Sequence, residues 1–368
     1  MTEDDKSRQR QQLHDRGICV VIPTFNNDGT IAAIVGDTLK ACCDVIVVND
    51  GSTDNTLDIL KQYAQKDSRI KIVDKKNAGL GAAYNSGIDA ATGEYVGIVE
   101  SDDWVEKDAF EFLYNNAKKH NVDIAKADFI FFDNDTNKEY PGWPTEIAKE
   151  NNGKVFCPTK ENPDIIWSGH PSIWTCLYSR KMLKDNNIRF SEIPGAAFQD
   201  MGFKVKTFLV SERFLYLPKI ILHYRKHASN SDKNNSKVFA VSDVHDDVDN
   251  WLDETRSDLK KYYKIINQCR FANYVWNYRR LFGEPKKEFH KRFISDFKKL
   301  YISGDMEKLY CDDKLWLKLL SIIYPYNPIY PILRAFVSAV SLIYKNRVHS
   351  GYKVYYLFNK FVIKRIKL

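Results

Sequence analysis

No Asp or Glu occurs after Asp313, although Lys and Arg stand at 314, 318, 334, 345, 347, 353, 360, 364, 365 and 367. The net charge of +7 therefore belongs to the C-terminal tail. The tail is apolar, yet it has no run able to span a bilayer. Lys318, Pro325, Pro328, Pro331 and Arg334 break Leu315 to Tyr344. The longest uncharged, proline-free run there is Ala335 to Tyr344, short of the roughly 20 residues a spanning helix needs. Cysteine is sparse: the seven residues (19, 42, 43, 157, 176, 269, 311) include no pair at metal-ligand spacing. That argues against a zinc module or a disulfide framework and fits free thiols in a reducing cytosol. Met1 to Gly17 lacks the apolar segment of a signal peptide and reads as a disordered leader, 1–17. No glycine-rich stretch ends in Gly-Lys-Ser or Gly-Lys-Thr, so there is no Walker loop. Nucleic acid is not an expected partner, because the positive charge is mixed with apolar sequence and no base-stacking module is visible.

The 368 residues are 44% hydrophobic and 28% charged, which is globular and leaves room for two domains. Ile18-Cys19-Val20-Val21-Ile22-Pro23, Val45 to Val48 and Ile70 to Val73 are short apolar runs of the kind that form buried parallel strands. Thr53 to Lys66 has helical periodicity, with Leu57, Leu60 and Tyr63 on one face, and Gly81 to Ala91 is a second helix candidate. Strands alternating with helices predict an α/β fold with a mostly parallel, doubly wound sheet and helices on both faces. Phe110 to His120 reads as helix, Val122 to Phe132 as strand, and Asp133 to Asn152 as a polar loop. From about Asp243 helical patterns dominate.

Chemistry concentrates at the strand ends. Glu100-Ser101-Asp102-Asp103-Trp104 follows the strand Glu94 to Val99. Ligands of open α/β sheets bind at the carboxyl ends of strands. Three carboxylates in four residues repel one another, and a hard divalent cation relieves that repulsion while holding a nucleotide pyrophosphate. Asn49-Asp50-Gly51-Ser52-Thr53-Asp54 closes an earlier strand in the same way. Asp50 there can accept the N3–H of uracil, while Ser52 and Asp54 also suit a turn and helix cap.

Other segments carry two readings each. Pro23-Thr24-Phe25-Asn26-Asn27 can hold a base and ribose, or be an ordinary loop. Lys76-Asn77-Ala78-Gly79-Leu80-Gly81 through Asn85-Ser86-Gly87 can turn backbone N–H groups toward phosphate, or pack a helix closely on the sheet. His223, Arg225 and His227 can clamp a departing diphosphate, or form a solvated basic loop. Trp174 and Trp167 can stack on an acceptor sugar, or sit in the core.

Taken in order, Val21 to Asn26, Val47 to Asp54, Asn77 to Gly87 and Gly93 to Asp103 resemble the family-2 inverting glycosyltransferases of the GT-A fold. Pro171-Ser172-Ile173-Trp174, Pro194 to Asp200 and His223-Tyr224-Arg225 look like the branch that builds bacterial surface glycans such as capsule and lipopolysaccharide. The resemblance implies a GT-A domain over 18–240, with a donor-binding half at about 18–108 and an acceptor half at about 109–240. A helical region with the basic tail follows at 241–368. It implies nucleotide-sugar contacts from Pro23, Thr24, Phe25, Asn26, Asp50, Asn77, Gly79, Asn85, Glu100, Ser101, Asp102 and Arg225. It also implies a Mn²⁺ or Mg²⁺ held by Asp102 with Asp103, acceptor contacts from Trp174 and Gln199, and Asp200 as the general base. The bland use of Asp200 is a helix cap. Two positions depart from the family pattern: Glu100 replaces the first Asp of the metal motif, and Tyr84 replaces a frequent Arg.

The expected activity is transfer of a sugar, UDP-linked, to a glycan or lipid-linked acceptor, in the cytoplasm or on the inner face of the membrane through the tail. The alternatives are an inactive sugar-nucleotide-binding subunit, which Glu100 keeps open, and a sugar nucleotidyltransferase. The second would need an Arg/Lys-containing glycine loop after the first strand, where Pro23-Thr24-Phe25-Asn26 stands instead.

Overall fold

The computed structural model describes residues 17–41, 44–142, 151–195, 197–226 and 237–303, with the short segments 352–355 and 364–367. The expected leader before Gly17, Cys42, Cys43, His227 and most of the basic tail lie outside the described residues. Two compact units divide between Phe282 and Gly283.

The first unit is built on one sheet. Strands β1 (Ile18–Thr24), β2 (Asp44–Asp50), β3 (Ile70–Lys75) and β4 (Tyr95–Ile98) run parallel in the order β3-β2-β1-β4. Every residue of β1 is buried, as a central strand covered on both faces requires. Each such Val or Ile contributes about 1.5–3 kcal/mol by leaving water. Helices α1 (Ile31–Ala41), α2 (Thr56–Lys66) and α3 (Leu80–Ala90) make the crossovers. Helix α3 packs on β1 and β2. A Cβ at Gly87 would lie 2.2 Å from Val21 Cγ1, so glycine is what lets this helix approach the strand.

The sheet then becomes mixed. The next elements are β5 (Trp104–Val105), α4 (Ala109–His120), β6 (Ile124–Asp133), β7 (Lys138–Pro141) and β8 (Val155–Phe156). They are followed by α5 (Pro158–Glu161), α6 (Asp164–Trp167), β9 (Cys176–Ser179), α7 (Arg180–Asp185), α8 (Gln199–Val210) and β10 (Phe214–Lys226). Beyond β4 the order is β9-β6-β10-β5. Strand β9 enters antiparallel between β4 and β6, whereas β6 and β10 are parallel. The stretch expected as polar loop contains β7, a hairpin partner of β6. Its sequence, Lys-Glu-Tyr-Pro, has no apolar alternation, and Asn137 at φ 52° supplies the left-handed turn residue that closes it.

Helices α9 (Ala240–Glu254) and α10 (Tyr263–Arg280) also fall within the first unit, α9 against α8 and α10 against α6. This unit therefore reaches past the boundary expected at 240. The second unit contains α11 (Gly283–Ser303) and an antiparallel pair, β11 (Tyr352–Tyr355) with β12 (Lys364–Lys367). No helix among the described residues is long and apolar enough to cross a membrane.

Candidate active site

The ends of β1, β2 and β4 lie side by side, because these strands are parallel neighbours. Side chains tie their loops together. Asn26 N–H donates to Ser52 Oγ at 2.9 Å, and Asn26 Oδ1 accepts from Thr53 N–H at 2.8 Å. Asn27 Nδ2 and Thr30 Oγ1 both donate to the Ser101 carbonyl, at 3.1 Å each. Pro23 is a buried, paired residue of β1. Thr24 is buried with its Oγ1 unpartnered, and Phe25 is 51% exposed at the rim.

Asp50 is 3% exposed and holds the glycine-rich loop in place. Its Oδ1 accepts from Lys75 Nζ at 2.7 Å and Ala78 N–H at 3.1 Å, and its Oδ2 accepts from Gly79 N–H at 2.9 Å. Gly79, at φ 92°, presses against the backbone of Ile193 and Gly195, and Leu80 N–H donates to the Gly195 carbonyl at 3.1 Å. The packing reading is visible at Gly87, whereas the N–H groups of Ala78, Gly79 and Leu80, expected to face phosphate, are bonded to Asp50 and the Gly195 carbonyl; Asn77 is exposed beside them.

Glu100, Asp102 and Asp103 bring carboxylate oxygens within 4.8 Å of one another. Asp102 is exposed, Glu100 is half-buried and Asp103 is 1% exposed. Asp103 Oδ1 accepts from Arg225 N–H at 2.8 Å, and its buried Oδ2 has no partner. Burial, then the charges of Glu100 and Asp102, push the Asp103 carboxyl well above its ordinary range. Burial first and Asp102 second push Glu100 up to about 8. An all-oxygen set with an orphaned buried oxygen and mutual repulsion fits a hard divalent cation. Arg225 closes the rim: Nε donates to the Asp102 carbonyl at 2.8 Å, and its guanidinium lies 4.8 Å from the Trp104 ring centre. His223 stacks on the same ring at 4.7 Å and bonds Glu106 and Glu139, at 2.8 and 2.9 Å.

Asp200 is the second residue of α8, whose cap is Phe198 at φ 63°. Its Oδ1 accepts from Met201 N–H at 2.9 Å. Burial pushes its carboxyl up to about 6, with the Met201 N–H pulling the other way. Its charge adds, as the smallest contribution, to the upward push on Glu100.

Three expected contacts are used up inside the fold. Asn85 is buried: its Nδ2 donates to the Phe190 carbonyl and Glu192 Oε1 at 3.0 and 2.8 Å, and its Oδ1 accepts from Phe190 N–H at 2.8 Å. It clamps the segment leading to Asp200 and has no amide group left for a nucleotide. Gln199 is buried, accepting from Ala197 N–H at 2.6 Å and donating to the Gly195 carbonyl at 3.0 Å. It braces its own loop with both ends of its amide. Trp174 is 3% exposed among Phe129, His170 and Tyr224, so its ring offers no stacking face. The residue that sequence reasoning left without a role is Tyr84, whose hydroxyl donates to Glu100 Oε1 at 2.9 Å. Its signal was the coincidence of two departures from the family pattern, which turn out to touch.

The model of the family described as Glycosyl transferase family 2 matches residues 19–186. The glycosyltransferase EpsH of Bacillus subtilis (strain 168) is 31% identical over 272 residues, covering 70% of this chain and 76% of EpsH. Glycosyltransferase GlyA of Streptococcus pneumoniae serotype 4 is 31% identical over 220 residues, but the alignment spans only 31% of GlyA's length and 58% of this chain. Among solved structures, S. aureus TarS 1–349 in complex with UDP-GlcNAc shares the fold, with TM-score 0.67 at 20% identity, covering 95% of this chain and 96% of that one. With the matched segment running through the strand ends that carry the acid cluster, the chain belongs to glycosyl transferase family 2.

Proposed function

We propose that the chain is an inverting glycosyltransferase. It moves a sugar from a UDP-linked donor to a hydroxyl of a glycan or lipid-linked acceptor, in bacterial surface-polysaccharide synthesis. The observation that supports this reading is a buried carboxyl, Asp200, at the start of α8 and outside the cap position, on the helix joined through Phe203, Phe190 and Tyr84 to the Glu100, Asp102 and Asp103 cluster. A carboxylate poised at about 6 is mostly ionised at neutral pH and still basic enough to accept a hydroxyl proton. Asp200 takes that proton as the acceptor oxygen attacks the anomeric carbon from the face opposite the nucleotide. One displacement then inverts the centre, and no covalent enzyme intermediate is required.

The donor binds across the strand ends. Phe25 offers an exposed aromatic face for the base, and Arg225 brings a cation to the rim where the diphosphate departs. Asp102 and Asp103, with Glu100 beside them, would hold Mn²⁺ or Mg²⁺. When bound, such an ion neutralises charge on the departing nucleotide as a Lewis acid. UDP is the nucleotide carried by the TarS complex of the same fold, which supports that choice of donor. The basic tail after Asp313 would rest on the anionic inner face of the cytoplasmic membrane.

The test is a thermal-shift screen of UDP-, GDP- and dTDP-sugars with and without Mn²⁺. A ligand at 100 times its Kd adds about 2.7 kcal/mol of stability. Stabilisation by UDP-sugars that needs the metal is expected. Selective stabilisation by GDP- or dTDP-sugars refutes the donor assignment.

A further inference from the structure

We propose that Tyr84 is a positioning residue of the acid cluster, its hydroxyl fixing the Glu100 carboxylate so that the cluster presents aligned oxygens to a divalent cation. The inference rests on the metal reading above. Among the described residues Tyr84 is the one hydrogen-bond donor to the Glu100 side chain, at 2.9 Å. A tyrosine hydroxyl carries its proton at neutral pH and donates it along this contact.

The need for a tether follows from the chemistry of the cluster. Glu100 faces Asp102 and Asp103 at under 4.8 Å, and a glutamate has one more rotatable bond than an aspartate. Repulsion and side-chain entropy both favour swinging it out toward water. The hydroxyl occupies one carboxylate oxygen and holds the side chain in, which leaves the second oxygen free to serve the cluster. Metal sites are generally oriented this way, by hydrogen bonds to the ligands rather than by the ligands alone.

Tyr84 can do this because its own position is fixed. It is 1% exposed on α3, the helix seated on β1 through Gly87. Its ring stacks on Phe190 at 4.4 Å, and Phe190 stacks on Phe203 at 3.8 Å with the planes 3° apart. Phe203 lies on α8 three residues after Asp200. The neighbouring Asn85 clamps the backbone of Phe190. One aromatic column therefore runs from the acid cluster to the helix that carries Asp200.

Tyr84→Phe keeps the ring and the column and removes only the hydroxyl. The full chain is titrated with Mn²⁺, and free ion is followed by electron paramagnetic resonance. Loss of a partner to a metal ligand typically costs 10–100-fold in affinity. We expect Mn²⁺ Kd to rise about tenfold in Y84F and binding to be lost in D102A. A Y84F affinity equal to wild type, with D102A still defective, overturns this inference and leaves the metal reading standing. Unchanged affinity in D102A overturns the metal reading itself, and this inference with it. A double-mutant cycle separates positioning from a general loss of structure: in an E100A background, Y84F should cost nothing further. Full additivity of the two losses would mean that Tyr84 does not act through Glu100, and would overturn the proposal.

Discussion

Asp200→Asn separates chemistry from architecture at the point where the functional reading is most exposed. Asn keeps the oxygen that accepts the Met201 N–H, so the start of α8 should survive. It removes the basic oxygen pair, and general-base loss is worth about 10²–10⁴ in turnover, or about 2.7–5.4 kcal/mol of barrier. The acid limb supplies a second handle. With Asp200 titrating near 6 in the free enzyme, about a tenth of wild-type molecules carry the ionised base at pH 5, so kcat/KM should fall about tenfold from its plateau there. That limb should vanish in D200N. Stability should move the other way. The folded pKa lies above the ordinary aspartate range, so the folded state holds the proton longer than the unfolded state, and stability falls as pH rises from about 4 to about 6. Removing the charge lifts that penalty, so D200N should melt at or above the wild-type temperature at pH 7.5. Initial rates from pH 5 to 8, melting curves and calorimetric donor binding test all three expectations. A variant that keeps its acid limb, or loses donor binding along with turnover, would show that Asp200 is structural and would refute the reasoning.

Three further outcomes are expected. Asp102→Ala removes the exposed charged member of the cluster and should abolish metal-dependent donor binding; full activity of the wild type in excess EDTA would contradict it. Asn85→Ala leaves the Phe190 N–H and carbonyl unpaired in the core and should cost about 3 kcal/mol in denaturant titrations, at about 1–3 kcal/mol per unmet group; a loss of UDP affinity without that destabilisation would return Asn85 to the donor site. The full chain should co-sediment with anionic liposomes, less so in high salt, since each tail Lys or Arg near the surface contributes about 1 kcal/mol and is screened over about 8 Å; equal binding to neutral liposomes would refute the electrostatic account.

Some elements were legible because the signal is local. A β-branched run such as Cys19 to Ile22 has few uses other than a buried strand, and it forms β1. An acid pair at a strand end, such as Asp102-Asp103, announces itself because stability alone gives no reason for it. Strand β7 was not legible, because Lys138-Glu139-Tyr140 becomes a strand only through the register offered by β6. Amide and indole side chains misled for a related reason. Asn85, Gln199 and Trp174 are polar or amphipathic residues that serve equally as ligand contacts and as internal braces. Only their burial and partners distinguish the two uses.

The sequence by itself determined the parallel strands of the N-terminal half, the family and the carboxylates at the strand ends, since these rest on short-range pattern and on residue type. The tertiary structure alone decided which polar groups stay available at the site. It spent Asn85 and Gln199 on the approach to Asp200, and it brought Tyr84 and Glu100, 16 residues apart, into one hydrogen bond. A buried donor or acceptor must find a partner wherever the packing puts one, and that partner is chosen by distance in space rather than by distance along the chain.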